Sequence, residues 1–195
     1  MTATKKGNTG SAGSKTTCNL NTRDLAMIAM FAALMAICSW IAIPAAVPFT
    51  LQTLGVFLAL GLLGGRRGTV SIAVYLLLGA IGLPVFSGFS GGIGYMLGAT
   101  GGYIIGFLFS ALVMWAFEHF AGKSMCVLAA SMIAGLIVCY AFGTAWFMIV
   151  YTRNTGSIGL AAALSWCVFP FIIPDAAKIA LACYLTRRRR TVIDL

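Results

Sequence analysis

Two opposite charges, Asp175 and Lys178, stand inside an otherwise apolar segment, and their types and spacing are the best candidates for chemistry. A separation of three residues places both on one face of a helix, and Pro174 suits the first turn of that helix. Each charge buried in a membrane segment costs about 2.5–3.5 kcal/mol even on the lenient insertion scale, so such residues mark ligand or ion sites. The competing interpretation is a self-neutralising structural ion pair, although apolar residues would hold a scaffold equally well.

Uncharged polar residues provide a second group of candidates. Thr50 and Gln52 follow Pro48-Phe49 and can orient a ligand, although Thr50 fits a helix N-cap almost as well. Arg153 is the one cation that the charge pattern places on the far side from the termini.

The glycines allow two interpretations. The pairs Gly91-Gly92 and Gly101-Gly102 expose peptide groups, which favours a position beside a ligand. A four-residue recurrence instead indicates a close-packing helix face if the segment is one helix, and its members are Gly94, Gly98, Gly102 and Gly106.

The sequence gives little support for a catalytic site or a metal site. Gly88-Phe89-Ser90-Gly91-Gly92 matches a serine-hydrolase motif, but the single histidine, His119, lies at the far end of the next helix, about 25 Å away. The six cysteines form no C-x-x-C pair and are interpreted as small packing residues. We therefore expect no catalytic residues, no metal and no cofactor.

The elements that must position these residues are membrane helices. The chain is 61% hydrophobic and 9% charged, against about 25% charged in soluble domains. No charge occurs between Asp24 and Arg66 or between Arg67 and Glu118, and each gap is long enough for two helices of about 20 residues. The fold class is therefore an all-α membrane protein with six transmembrane helices, near 25–43, 49–65, 68–83, 102–118, 125–150 and 171–186.

The basic residues predict the orientation of this bundle. Six crossings put both termini on one side, and eleven lysines and arginines fall on that side against Arg153 on the other. Positive charge collects in the cytoplasm, so both termini are expected to be cytoplasmic, and the net charge of +9 is a topology signal rather than evidence for nucleic-acid binding. The predicted organisation is a disordered polar tail at 1–23, the six-helix domain at 24–187 and a basic cytoplasmic tail at 188–195.

Six motifs occur in an order that resembles the BioY family, the biotin-binding membrane subunits of energy-coupling-factor (ECF) vitamin transporters. The resemblance covers nearly the whole chain after residue 24. Its motifs are Val47-Pro-Phe-Thr-Leu-Gln-Thr53, Gly64-Gly-Arg-Arg-Gly68, Gly82-Leu-Pro-Val-Phe86, Gly88-Phe-Ser-Gly-Gly92, Gly98-Ala-Thr-Gly-Gly-Tyr103 and Pro174-Asp-Ala-Ala-Lys178.

The resemblance implies a substrate-binding (S) component of a bacterial cytoplasmic membrane that takes up biotin and has no ATPase activity of its own. Its implied partners are a transmembrane coupling subunit and two ABC-type ATPases. In that family small residues of the first helix meet the coupling subunit. Two pairs here have the A-x-x-x-A spacing that close helix contact needs, Ala29 with Ala33 and Ala32 with Ala36.

Biotin fits the chemistry of these residues. Asp175 can accept from the ureido N–H groups, Lys178 can donate to the ureido oxygen or the carboxylate, and Arg153 is the other candidate for the carboxylate. Aromatic walls for the bicycle are expected from Phe86, Phe89, Tyr103 and Trp146. The remaining predicted substrate-binding residues are Thr50, Gln52, Ser87, Ser90, Gly91, Gly92 and Gly101.

Two other classes of function stay open. A solitary or proton-coupled secondary transporter of biotin or another small carboxylate would use Asp175 and Lys178 as a relay, but no inverted repeat is evident. A membrane enzyme would need a nucleophile–base pair or a metal set that the sequence lacks.

Overall fold

The computed structural model describes residues 21–43 and 47–193, and helices dominate this part of the chain. The elements in chain order are α1 (Thr22–Trp40), β1 (Ala42–Ile43), β2 (Phe49–Thr50), α2 (Gln52–Leu63), α3 (Gly65–Ala80), a 3₁₀ turn (Ser87–Phe89), α4 (Ile93–Met96), α5 (Gly101–Ala121), α6 (Met125–Asn154), α7 (Leu160–Cys167) and α8 (Phe169–Ile193). Most of the predicted tail at 1–23 lies outside the described residues, but its last two residues begin α1.

Each of the six predicted helices has a counterpart, and the largest difference is at the end of the chain. The last helix begins at Phe169 and continues to Ile193, where the sequence predicted an end near 186 and a separate tail at 188–195. Arginine is a good helix former, so the basic run continues the helix instead of ending it. The short helices α4 and α7 were not predicted.

Four helices among the described residues are long and apolar enough to cross a membrane, where six were expected. They cover Thr22–Trp40, Gly101–Ala121, Met125–Asn154 and Leu160–Arg189, the last joining α7 to α8. Helix α2 has 12 residues and α3 has 16, or about 18 and 24 Å of rise, short of the ~30 Å hydrocarbon core. Gly64 alone separates these two helices.

Two helix starts follow from side-chain caps. Asn21 accepts a hydrogen bond from the backbone N–H of Thr22 at the start of α1. Ser124 accepts from the N–H of Val127, which explains why α6 begins at residue 125, as the sequence predicted.

Helices α5 and α6 pack closely because glycines lie where a side chain would collide. A Cβ on Gly102 would lie 2.3 Å from the Trp146 side chain, and one on Gly143 would lie 2.2 Å from the Tyr103 ring. The predicted stripe of four glycines is not one helix face, because Gly94 belongs to α4 and Gly98 to the turn that follows it. Only the two members within α5 share a face, and both pack against α6.

One end of α1 holds the segment that follows α3. Ser39 Oγ donates to the carbonyl oxygen of Val85 at 2.6 Å, and Trp40 Nε1 donates to that of Pro84 at 2.9 Å. The Trp40 ring also stacks on Phe89, with 5.0 Å between the ring centroids. These contacts attach the segment that carries Ser87 to the last turn of α1.

The last helix carries Asp175 and Lys178 away from its first turn. Helix α7 ends at Cys167, Val168 departs from helical geometry, and α8 begins at Phe169. Pro174 therefore lies inside α8, five residues after its first residue, and not in the first turn as the sequence predicted. Its missing N–H leaves the helical hydrogen-bond ladder interrupted just before Asp175.

Candidate functional site

The centre of the site is the ion pair on α8. Asp175 is 2% exposed and Lys178 is 6% exposed, and Lys178 Nζ lies 2.7 Å from Asp175 Oδ1. The shared helix face that the three-residue spacing predicted is confirmed by this contact. Neither charge reaches bulk water, so each depends on the groups around it.

All three donors of the Lys178 ammonium have acceptors. Beside Asp175, Nζ donates to the carbonyl oxygen of Thr50 at 2.7 Å and to Thr53 Oγ1 at 2.9 Å. The Phe49 ring covers the same ammonium, with 4.3 Å from Nζ to the ring centroid. Thr50 belongs to β2, which pairs antiparallel with β1 so that Ala42 is opposite Thr50.

The Asp175 carboxylate has one acceptor position left. Oδ1 accepts from Lys178 Nζ and from Thr53 Oγ1, the latter at 3.1 Å. Oδ2 accepts a hydrogen bond from the Tyr140 hydroxyl of α6. An ionised carboxylate has about four lone-pair sites, so one site on Oδ2 remains for a further donor.

A cavity of about 400 Å³ lies against this carboxylate and ammonium. Part of this space is open to solvent, and its lining is mostly apolar with a few polar groups, as small-molecule sites are. The lining residues are Val47, Pro48, Thr50, Thr53, Tyr103, Phe107, Cys139, Tyr140, Cys167, Phe171, Asp175 and Lys178. Aromatic rings and a buried ion pair thus share one enclosure, as the recognition of a ligand with an apolar body and polar groups requires.

A second cavity of about 360 Å³ shares part of this lining, including Val47, Thr50 and Tyr103. We call the two together the substrate cavity, with the ion-pair lobe and the outer lobe as its parts. The outer lobe adds Gln52, Ser87, Tyr95, Thr100 and Ile104. Gln52 is buried there and donates through Nε2 to the Tyr75 hydroxyl at 2.9 Å.

The structure brings six of the predicted substrate-binding residues to this cavity. Asp175 and Lys178 lie on α8, and Thr50 and Gln52 lie at the end of β2 and the start of α2. Ser87 lies in the 3₁₀ turn and Tyr103 on α5.

Three of the four expected aromatic walls, Phe86, Phe89 and Trp146, do not line either lobe. Phe86 is fully buried behind the cavity and stacks on Tyr95, with 5.6 Å between the ring centroids. Phe89 is 65% exposed and stacks on Trp40. Trp146 packs over Gly102 and donates to a backbone carbonyl. Each of these rings packs against other residues of the chain. An aromatic residue in an apolar sequence does not by itself show whether its ring contacts a ligand or the protein core.

The glycine pairs and Ser90 also lie outside the cavity lining. A Cβ on Gly91 would lie 2.2 Å from the Leu83 carbonyl oxygen, and one on Gly101 would lie 1.7 Å from that of Met96. Gly92 donates its N–H to a carbonyl of α3, and Ser90 pairs through its backbone with Phe86. These residues therefore approach other backbone closely, and none of them lines either lobe.

Arg153 is exposed in the last turn of α6 and does not line either lobe. Lys178 is the cation in the lining of the ion-pair lobe.

Sequence reasoning missed several residues that complete the site. Thr53 bonds both members of the ion pair, yet it was not among the predicted substrate-binding residues, although it belongs to the same polar segment as Thr50 and Gln52. Tyr140 stands in an apolar helix, where an aromatic residue is ordinary. The hydroxyl group of Tyr140 in a membrane segment was the one feature of the sequence that could have indicated a role in the site. Cys139 and Cys167 line the cavity as well as packing the core.

The four alanines of α1 divide between two faces. Ala29 and Ala33 are exposed, as contact with another protein requires. Ala32 is 2% and Ala36 is 6% exposed, and both belong to the core. The side chains of the buried pair are already covered by this chain, so of the four alanines Ala29 and Ala33 are the ones that the structure leaves accessible to a partner.

Among the residues that the structure describes, no group of three or more His, Cys, Asp or Glu side chains is arranged to hold a metal ion.

Comparison with known proteins identifies a single family. The model of the BioY family matches residues 11–194. The chain is 38% identical to the biotin transporter BioY of Thermotoga maritima over 85% of this chain and 95% of that protein. It is 36% identical to a probable biotin transporter of Pyrococcus horikoshii, over 87% of this chain and 97% of that protein.

A solved structure has the same fold. The crystal structure of the S-component for biotin from an ECF-type ABC transporter superposes with a TM-score of 0.75 and 29% identity, covering 87% of this chain and 91% of that one.

Proposed function

The chain belongs to the BioY family, and on that premise we propose that it is the biotin-binding S component of an ECF transporter. The observation that carries the proposal is the buried Asp175–Lys178 pair at the edge of a mostly apolar cavity of about 400 Å³. Biotin combines an apolar bicycle with a ureido group that has two N–H donors and one carbonyl acceptor. The ion-pair lobe has groups that match both parts of biotin: apolar and aromatic side chains for the bicycle, and Asp175 and Lys178 for the ureido group.

The open acceptor position determines how the ureido group is held. Asp175 Oδ2 accepts one ureido N–H beside the Tyr140 hydroxyl that already binds it. Lys178 has no unused donor in this structure, so a bond to the ureido oxygen replaces one of its present contacts, such as the Thr50 carbonyl. Ligand binding therefore exchanges hydrogen bonds at Lys178 and adds one at Asp175.

The rest of biotin occupies the apolar surface and the outer lobe. Tyr103 and Phe107 line both lobes and form the walls along the bicycle. The valerate tail extends into the outer lobe, where Ser87 and Thr100 supply neutral hydroxyl donors. Arg153, which is exposed, has no direct contact with biotin under this proposal.

Transport needs further subunits under this proposal. The chain crosses the bacterial cytoplasmic membrane with six helical segments and both termini in the cytoplasm, as its charge distribution favours. The exposed alanines of α1, Ala29 and Ala33, allow the close approach of a transmembrane coupling subunit. Two ABC-type ATPases on that subunit supply the energy, and this chain contributes biotin binding without ATP hydrolysis.

Titration of the purified chain with biotin, without nucleotide or ion gradient, tests the binding proposal. We expect saturable binding of one biotin per chain. We expect biotin methyl ester to bind as well or only moderately more weakly, because the ureido group and bicycle make the buried contacts. Absence of biotin binding by monodisperse protein would contradict the proposal.

Uptake into proteoliposomes tests the energy source. Biotin accumulation is expected only when the coupling subunit, the ATPases and ATP are present. Accumulation by the chain alone that a protonophore abolishes would instead favour the secondary transporter, with Asp175 and Lys178 as its proton relay.

A further inference from the structure

A basic cleft lies at the end of the bundle away from the ion pair, between the start of α1, the end of α2 and the end of α8. Its volume is about 770 Å³. Three arginines from three helices face it, Arg23, Arg67 and Arg189, and its other lining residues are Asn21, Asp24, Met27, Leu62 and Leu63. The substrate cavity shares none of these residues.

The cleft lies at the depth where membrane spans end. The span of α1 begins at Thr22, next to Arg23, and the apolar part of α8 ends before the arginine run 187–190, which includes Arg189. The boundary of an apolar span marks the level of lipid head groups. Arginines at this level from separate helices surround a volume that adjoins both lipid and water.

Contacts within the cleft hold two of the arginines in place and leave most of their donors available. Arg67 forms a salt bridge with Asp24 at 3.2 Å, and Arg189 donates to the Leu62 carbonyl at the end of α2. A guanidinium has five N–H donors, and these contacts use a minority of them. One carboxylate faces three guanidinium groups, so the described lining has an excess of positive charge.

We propose that this cleft binds the phosphate of an anionic phospholipid. Guanidinium groups form paired hydrogen bonds to phosphate oxygens, and three of them converge here. Basic pockets between membrane helices on the cytoplasmic side are the kind of site that takes such head groups. Because the charge excess exceeds one, the cleft selects an anionic lipid over a zwitterionic one.

The apolar part of the lining distinguishes a lipid from free phosphate. Met27, Leu62 and Leu63 line the same cleft as the arginines. A soluble phosphate would leave this apolar surface in contact with water, whereas the glycerol and first methylenes of a lipid cover it. The source of the phosphate is therefore the membrane.

Native mass spectrometry of the purified full chain, titrated with short-chain phosphatidylglycerol or phosphatidylcholine, tests this assignment. We expect one saturable phosphatidylglycerol and a much weaker affinity for phosphatidylcholine. Arg23→Gln and Arg189→Gln should each weaken phosphatidylglycerol binding about fivefold, as expected for one basic group at an anionic surface. Glycerol 1-phosphate at the same concentration should not displace the lipid.

Arg188→Gln is the matched control, because it removes the same charge from the neighbouring position of α8 but does not line the cleft. It should bind phosphatidylglycerol like the unchanged chain. Equal binding of the two lipids, equal losses in Arg188→Gln and Arg189→Gln, or displacement by glycerol 1-phosphate would each overturn the proposal.

Thermal unfolding provides a second measurement, because a ligand of the folded state raises the melting temperature. Phosphatidylglycerol should raise it in the unchanged chain and in Arg188→Gln, and less in Arg23→Gln. Arg23→Gln replaces an exposed side chain, so this variant should fold like the unchanged chain. An equal rise in all three would contradict the site.

Discussion

The hydroxyl of Tyr140 donates a hydrogen bond to Oδ2 of Asp175, so that a residue of α6 completes the environment of a charge on α8. The bond satisfies part of a carboxylate that water does not reach. Both residues line the ion-pair lobe, so the hydrogen bond fixes the carboxylate at the edge of this cavity. Tyr140 is therefore a positioning residue for the proposed biotin contact.

Replacing Tyr140 by Phe should weaken biotin binding about tenfold, since a hydrogen bond to a charged group contributes about 1.5–3 kcal/mol. Isothermal titration with biotin measures the change. Tyr151→Phe is the control on the same helix, because Tyr151 lies outside the substrate-cavity lining and stacks on Phe147. Equal affinities in the two variants would remove Tyr140 from the site.

Replacing both members of the ion pair separates ligand binding from a purely structural role. Asp175→Asn and Lys178→Met should each insert and fold, and each should bind biotin at least about tenfold more weakly. If the pair served only to neutralise itself, the double variant would recover, because no buried charge would be left alone. We expect no recovery, and near-native biotin affinity in the monodisperse double variant would exclude these residues from the site.

The two alanine faces of α1 predict opposite effects of the same substitution. Ala29→Leu should leave folding and biotin affinity unchanged but impair assembly with a coupling subunit, because Ala29 is exposed. Ala32→Leu should lower the free energy of unfolding by about 1–3 kcal/mol, because it overfills the core. Co-purification with the coupling subunit and thermal unfolding measure the two effects. Loss of biotin binding in Ala29→Leu with assembly intact would reverse the assignment.

Two glycines of the four-residue recurrence give a matched test of packing. Gly102→Ala should destabilise the fold by about 1–3 kcal/mol, because its Cβ would lie 2.3 Å from the Trp146 side chain. Gly94→Ala should be close to neutral, because a Cβ there has no heavy atom outside its own helical backbone and chain neighbours within 4 Å. Unfolding of the two variants in the same detergent measures the difference. Equal stabilities would mean that α5 and α6 do not approach as closely as described.

The proposed orientation predicts different accessibility at two arginines. In a background without native cysteines, Arg153→Cys should react with an impermeant maleimide on intact cells, whereas Arg67→Cys should react only after permeabilisation. The basis is the concentration of basic residues on the side of Arg67. The reverse labelling pattern would invert the topology.

The sequence predicted the parts of the site that depend on isolated signals. Asp175 and Lys178 are conspicuous because charge is costly in an apolar segment, and a three-residue spacing defines their helix face without further information. Helix positions followed from the gaps between charges, including the start of α6 at residue 125.

Residues whose roles depend on tertiary contacts were not predictable. Phe86, Trp146 and Tyr103 are all aromatic residues in apolar segments, and of these three Tyr103 lines the cavity. Phe86 instead packs on Tyr95, and Trp146 packs on Gly102. The division of the alanines between two faces of α1 is also set by neighbouring helices.

The hydrogen bonds from Ser39 and Trp40 to the carbonyls of Val85 and Pro84 join the rim of the outer lobe to α1. A helix of 19 residues is about 28 Å long, so one rigid element connects the backbone near Ser87 with the face that Ala29 presents. Under the proposed function, a tilt of α1 on assembly with a coupling subunit would therefore change the geometry of the rim without a relay of side chains. Thermodynamic linkage makes this coupling reciprocal: whatever factor assembly applies to the affinity for biotin, bound biotin applies to the affinity for the partner.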